Sequence, residues 1–236
     1  MSINLEELDY ANTDIGELIL RRRRFPMLGD TDVFEVILND EFLMSSLYTA
    51  GEIALANLGL DALHEDAADV IVGGLGLGYT AAAALERGSV RELVVIEALA
   101  NVVDWHEREL LPVSDRLTRD PRCSLHTANF FAEAANGFAS LGAERRWHAV
   151  LLDIDHSPRH VLNPANAPFY TAEGLAALRD SLHDKGVFAL WSNDPPDQDF
   201  VGLLDQIFTT YDAHIIDIDN PLNNNTGQNT IYVAVR

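Results

Sequence analysis

The sequence Gly73-Gly-Leu-Gly-Leu-Gly78 follows directly on the apolar run that begins at Val70 and leads into the alanine-rich segment Tyr79–Arg87. Glycine lets a chain turn sharply and lets a ligand approach the backbone with no Cβ in the way. A strand, a glycine loop and a helix in immediate succession predict a unit that holds a ligand against the start of the helix. Gly74, Gly76 and Gly78 form the G-x-G-x-G pattern of S-adenosylmethionine binders. Gly76, Gly78 and Ala81 equally satisfy the dinucleotide pattern G-x-G-x-x-A, so the glycines alone do not separate the two. A tight turn without a ligand is the third reading.

The segments that follow repeat the alternation. Runs at 93–97, 124–128, 148–155 and 187–192 read as strands, and 100–111, 130–142, 170–182 and 200–211 read as helices. Strands apolar on both faces, alternating with amphipathic helices, indicate a parallel sheet covered on both sides. Right-handed crossovers then make the fold α/β and doubly wound. Segments 213–218 and 230–235 are two further strands with no helix between them, so they must pair antiparallel. A mostly parallel sheet ending in such a hairpin is the class I methyltransferase-like Rossmann arrangement. Ahead of residue 63, strands at 16–22 and 32–38 flank a turn, and a helix follows with Ser45 and Ser46 as candidate caps and Gly59 closing it. The expected division is therefore 1–62, a small β-hairpin and helix region, and 63–236, the nucleoside-binding domain.

Composition narrows the function. The 236 residues carry a formal net charge of −21. Such a surface repels nucleic acid, whose phosphates need clustered Lys and Arg. It admits a cationic substrate without requiring one, because acidity also serves solubility. The only basic run, Arg21 to Arg24, reads as a solvated strand end. The acidic start of the chain is neither a signal nor a transit peptide, and no stretch approaches a membrane span. One cysteine, Cys123, excludes an internal disulfide, reads as packing, and fits a reducing, cytoplasmic compartment.

Candidate site residues gather at the carboxyl ends of the predicted strands, where open α/β sheets place their ligands. Glu97 ends the second strand and is positioned to accept hydrogen bonds from both ribose hydroxyls. Asn129, past the third strand, is placed either to meet an adenine edge or to form a turn. Asp153 and Asp155 end the fourth strand in Leu-Leu-Asp-Ile-Asp-His-Ser-Pro, so Asp153, His156, Ser157 and Pro158 should border a reaction cavity. Asp153, Asp155, His156 and His160 are all metal-ligand types, but their spacing matches no compact metal motif, and no metal is expected. Trp191, at the end of the fifth strand, reads as a core aromatic.

Together these segments resemble the spermidine synthase (polyamine aminopropyltransferase) family, from about Gly16 to the carboxyl terminus. The anchors are GGLGLGYT, VVIEALANVVDWHERELLP, DPRCSLHTANFF, and LLDIDHSP with the helix and strand after it. The resemblance implies S-adenosylmethionine or its decarboxylated form as group donor, and a small cationic or amine substrate as partner. It implies neither nucleic acid nor membrane as partner, and leaves a homodimer open. Asp153 would orient or deprotonate the nucleophile, Asp155 and Glu52 would neutralise ammonium groups, and His156 would border the substrate. The family's glycine loop carries an acid that holds the amine of the decarboxylated donor. In the alignment that position is Leu77, which predicts no strong preference between the two donors. The family's polyamine-gripping residues are replaced by Met44 and Ala50-Gly51-Glu52, its second loop acid by His156, and its adenine-contacting acid by Asn129. An S-adenosylmethionine methyltransferase and a non-catalytic nucleoside-binding module are the rival readings.

Overall fold

The arginine run lies inside a sheet. In a computed structural model of the chain, which describes residues 4–29, 31–222 and 225–236, four strands pair in sequence order as an antiparallel sheet. They are β1 (Leu5–Thr13), β2 (Gly16–Arg24), β3 (Asp32–Leu38) and β4 (Glu41–Ser45). Two strands were expected. β1 is polar and largely exposed, so it carries no apolar signal, and β4 is only five residues long. Charge pairing across the strands supplies what apolar burial does not. Arg22 reaches Glu6 on β1 at 2.5 Å, Arg24 pairs with Asp32, and Arg21 meets the buried Glu35 at 2.6 Å. The arginines thus end β2 as expected, partly exposed, and are paired with acids of the neighbouring strands.

Helix α1 (Ala50–Asp61) follows, with Thr49 at its cap position. The serines expected to cap it are used elsewhere. Ser45 ends β4, and the Ser46 hydroxyl accepts a hydrogen bond from the Phe34 amide at 2.9 Å. Gly59 lies within α1, where a Cβ would sit 2.6 Å from Leu151, so the missing side chain sets how closely the helix approaches the sheet.

The larger sheet contains β5 (Ala68–Gly73), β6 (Val90–Glu97), β7 (Cys123–Thr127), β8 (Trp147–Leu152), β9 (Leu182–Ser192), β10 (Thr210–Asn220) and β11 (Asn225–Val235). Its order is β7-β6-β5-β8-β9-β11-β10. The first five strands are parallel, and β11 pairs antiparallel with both β9 and β10. This is the doubly wound, mostly parallel fold with an antiparallel C-terminal hairpin. The crossovers carry α2 (Tyr79–Leu85), α3 (Ala100–Glu107), α4 (Ser114–Thr118), α5 (Phe130–Ala135), α6 (Ala172–Ser181) and α7 (Gln198–Ile207). The helix expected over 100–111 ends at Glu107 and resumes as α4 beyond Pro112, since proline cannot continue a helix interior. The one expected over 130–142 stops at Ala135, before Gly137 and Phe138, which both have positive φ. Thr210 and Tyr211, expected to be helical, begin β10. Much of the turn-rich 219–229 segment is strand, and of the asparagine run at 223–225, residues 223 and 224 lie outside the described residues.

Both faces of the larger sheet are covered. On one, Val70, Val72, Leu151 and Ile231 pack with Leu55 and Leu60 of α1 and with Leu18, Leu20 and Val36 of the small sheet. On the other, Ile71, Trp147, Phe188 and Tyr232 pack with Phe130 and with Leu175, Leu178, Phe200 and Leu204. The small sheet is therefore fastened to the same core, and α1, placed before the boundary at 62, packs on α2, β9 and β11. Half-buried Cys123 sits in β7, where burial pushes its thiol up to about 12. Among the described residues, no helix is long and apolar enough to cross a membrane.

Candidate functional site

The glycine loop turns away from β5 and back into α2, and its backbone geometry requires glycine. Gly74 has φ +93°, and a Cβ there would fall 2.0 Å from the Asp153 carbonyl oxygen. Gly76 has φ +48° and faces a cavity of about 420 Å³ that is also lined by Gly74, Glu97, Asn129 and Asp153. That volume lies within the range of small-molecule and nucleoside pockets. Gly78 lies outside it. It opens α2 and is packed so tightly that a Cβ would meet His106, Val113 and Leu117 at 2.7–2.9 Å. Leu77 and Leu75 are buried in the core, so Gly76 is the position that faces the cavity, in place of the expected Leu77.

Glu97 is half-buried at the end of β6, with both oxygens held. Oε2 accepts from the Leu75 amide at 3.0 Å and Oε1 from the Leu99 amide at 2.9 Å. Burial pushes its carboxyl up, while these backbone donors and those of Gly76 and Ala98 pull it down. Asn129 caps α5, its Oδ1 accepting from the Ala132 amide at 3.0 Å. Its amide still lines the cavity, so the turn-forming and cavity-facing readings coincide in one residue.

A residue unmarked in the sequence fixes the loop from below. The fully buried His106 approaches the Gly76 carbonyl with Nε2 at 3.0 Å, and Nδ1 lies 3.2 Å from the Ser114 hydroxyl. Ser114 in turn accepts from the Leu111 amide at 3.3 Å. Its proton is then directed at Nδ1, which leaves Nε2–H to donate to Gly76. Burial lowers the pKa of His106 and keeps the ring neutral.

The small sheet roofs this cavity with Ile15, Asn39, Leu43 and Met44. Asn39 ties the two hairpin tips together, donating to the Ile15 carbonyl at 2.9 Å and accepting from the Glu17 amide at 3.0 Å. The indole N–H of Trp105, itself a lining residue, donates to Asp9 of β1 at 2.6 Å. None of these roofing contacts has a motif.

A second cavity of about 390 Å³ opens between α1, the end of β9 and the C-terminal hairpin, and Asp153 and Met44 line both cavities. Glu52, in the first turn of α1, and the exposed His156 line the second one. Asp153 is half-buried after β8, its amide bonded to the Gly73 carbonyl at 2.7 Å and its Oδ2 accepting from the Thr80 hydroxyl at 2.8 Å. Burial pushes Asp153 up to about 6. Burial, reinforced by the charge of Asp153, pushes Glu52 up to about 8. Both carboxyls are thus raised above the ordinary range, by burial and, for Glu52, by the charge of its neighbour. Trp191 lines this cavity too, while it packs on α1 against the core, as expected of a core aromatic.

Asp155 is not part of this arrangement. It is 1% exposed and accepts from the Leu162 amide at 2.7 Å, from Asn166 Nδ2 at 2.9 Å and from the Tyr170 hydroxyl at 2.9 Å. It lines neither cavity and instead orders the loop after β8. Residues two apart in a regular strand would share a face, but β8 ends at Leu152 and the chain bends at Asp155, and this bend separates the two carboxylates. Ser157 is buried and bonded to His160 at 3.2 Å, away from both cavities. No group of three or more potential metal ligands occurs among the described residues.

No family model matches the chain, and no curated protein matches it by sequence. Solved structures do share its fold. A spermidine synthase from Thermotoga maritima superposes with a TM-score of 0.71 at 16% identity, over 97% of this chain and 72% of that one. A spermidine synthase in complex with the transition state analogue AdoDATO superposes with a TM-score of 0.73 at 17% identity, over 97% and 73%. Fold and chain-long correspondence are thereby shown.

Proposed function

We propose that the chain is a transferase that moves an aminopropyl group from decarboxylated S-adenosylmethionine to an amine. The observation that carries this reading is the position of Asp153, which lines both the glycine-loop cavity and the second cavity beside Glu52. A sulfonium carbon in the first cavity and an amine in the second would meet there. The sulfonium is already a good leaving group, so the protein's task is to align the amine and keep it deprotonated. A carboxylate held near 6 ionises below neutral pH yet still takes a proton from a bound ammonium more readily than an exposed aspartate does. The amine nitrogen then bonds to the aminopropyl carbon, the carbon–sulfur bond breaks, and methylthioadenosine leaves with its electron pair. Glu97 would accept the ribose hydroxyls on its remaining lone pairs, with Gly74, Gly76 and Asn129 around the nucleoside.

The lining also bears on the donor. Among the described residues, Glu41, Glu97 and Asp153 are its only ionisable side chains, and no Lys, Arg or His lines it. A methionine carboxylate would face these acids with no counter-charge, whereas the ammonium of the decarboxylated donor would find Asp153. Such a lining favours the decarboxylated donor, against the expectation drawn from Leu77, and disfavours the methyltransferase reading. The test is methylthioadenosine release from each donor in the presence of a panel of amines. Release from the decarboxylated donor, at least tenfold faster than any turnover of S-adenosylmethionine, is expected. Methylated product with no methylthioadenosine would overturn the proposal.

A further inference from the structure

The second cavity carries two acids, Glu52 and Asp153, and Asp153 also lines the first cavity. The part of its lining that comes from the end of β9 and the C-terminal hairpin presents the amides of Asn193, Asn220 and Asn229. Asn229 Nδ2 donates to Asn193 Oδ1 at 3.3 Å, so these two amides stand as a pair. Among the described residues no carboxylate and no Lys or Arg lines that part, and the cavity's other ionisable side chains are the exposed His156 and the phenol of Tyr48. The hairpin does carry acids, but strand alternation puts Asp217 and Asp219 on the face opposite Ile218 and Asn220, and Asp217 is bonded to Gln228 at 2.9 Å.

Resting on the reading of this cavity as the acceptor site, we infer that its substrate is an amine with a single ammonium group and an uncharged, hydrogen-bonding tail. A diamine would place its second ammonium among amides without a counter-ion, and amide carbonyls return less to a cation than a carboxylate does. An anionic tail would find no cation. An amide or hydroxyl tail matches a paired asparagine surface, because each asparagine both donates and accepts.

The test is calorimetric titration of the whole chain, first with methylthioadenosine alone and then, with that nucleoside bound, with 4-aminobutanamide, 1,4-diaminobutane and 4-aminobutanoate. The aminobutanamide should bind at least tenfold tighter than the diamine, a margin of about 1.4 kcal/mol. The aminobutanoate should bind more weakly still. Asn193→Asp, at an exposed position that tolerates the change, should shift the ratio at least tenfold toward the diamine. If methylthioadenosine binds and the diamine equals or exceeds the aminobutanamide, or neither amine binds, this inference falls while the nucleoside site stands. An unchanged ratio in Asn193→Asp overturns it as well. Failure of methylthioadenosine to bind overturns the transferase reading and this inference together.

Discussion

Glu97 and Glu52 are both half-buried carboxylates raised by burial, and they differ in what answers their charge. Glu97, in the nucleoside cavity, is met by backbone N–H groups of the loops after β5 and β6. Glu52, in the second cavity, meets another carboxylate instead. On the proposed reading, the first arrangement would receive neutral hydroxyls with donors that do not move, and the second would offer two acids to a cation that must be accepted and released changed. On that reading the site divides into a half for binding and a half for chemistry.

Asp153→Asn tests that division most directly. It removes the proton acceptor while keeping the shape and the contact with Thr80. Transfer should fall by about 10²–10⁴-fold, and methylthioadenosine affinity should change less than about threefold by calorimetry. Equal losses in rate and affinity would place Asp153 with the binding half.

Gly76→Val attacks the other half. A β-branched residue at φ +48° is strained, and its side chain would enter the nucleoside cavity beside Met44, whose sulfur lies 3.1 Å from the added Cβ. Nucleoside affinity should drop by at least about a hundredfold, some 2.7 kcal/mol. Gly78→Ala, the matched control, should lower the melting temperature through its clash with His106 while the residual folded protein still binds. If Gly76→Val binds normally, the glycine loop is a turn and the nucleoside assignment is lost.

The smallest effect is on stability. A carboxyl whose folded pKa lies above its unfolded value binds more protons when folded, so it erodes stability as pH rises from about 4.5 through about 8. Glu52→Gln removes that erosion. Its melting temperature should match the parent near pH 4.5 and exceed it by a few degrees at pH 9, where about 1 kcal/mol corresponds to roughly 2–4 °C in a chain of this size. No gain at pH 9 would mean that Glu52 is well solvated, and the comparison with Glu97 would lose its basis.

The parts that were legible have local causes. An apolar run into a glycine loop into an alanine helix has one physical solution, and the two helix-free terminal strands could pair only antiparallel. The place of Glu97 beside the glycine loop was readable because it depends on distance from that loop along the chain. β1 was not, because a polar strand that closes with Arg22–Glu6 and Trp105–Asp9 contacts shows no periodicity. The roles expected for Asp153 and Asp155 were indistinguishable in sequence, and only the course of the loop decided that one faces two cavities while the other is enclosed. Leu77 and Gly76 were confused for a similar reason, since spacing along a loop does not reveal which residue turns inward.

What the sequence alone determined is therefore the doubly wound sheet and the sheet edge at which the glycine loop lies, because backbone propensity and hydrophobic period act over a few residues at a time. Only tertiary structure decided which acids act on each other, since Glu52 and Asp153 lie about a hundred residues apart in the chain and their pKa values depend on the water excluded when α1 and the loop after β8 meet.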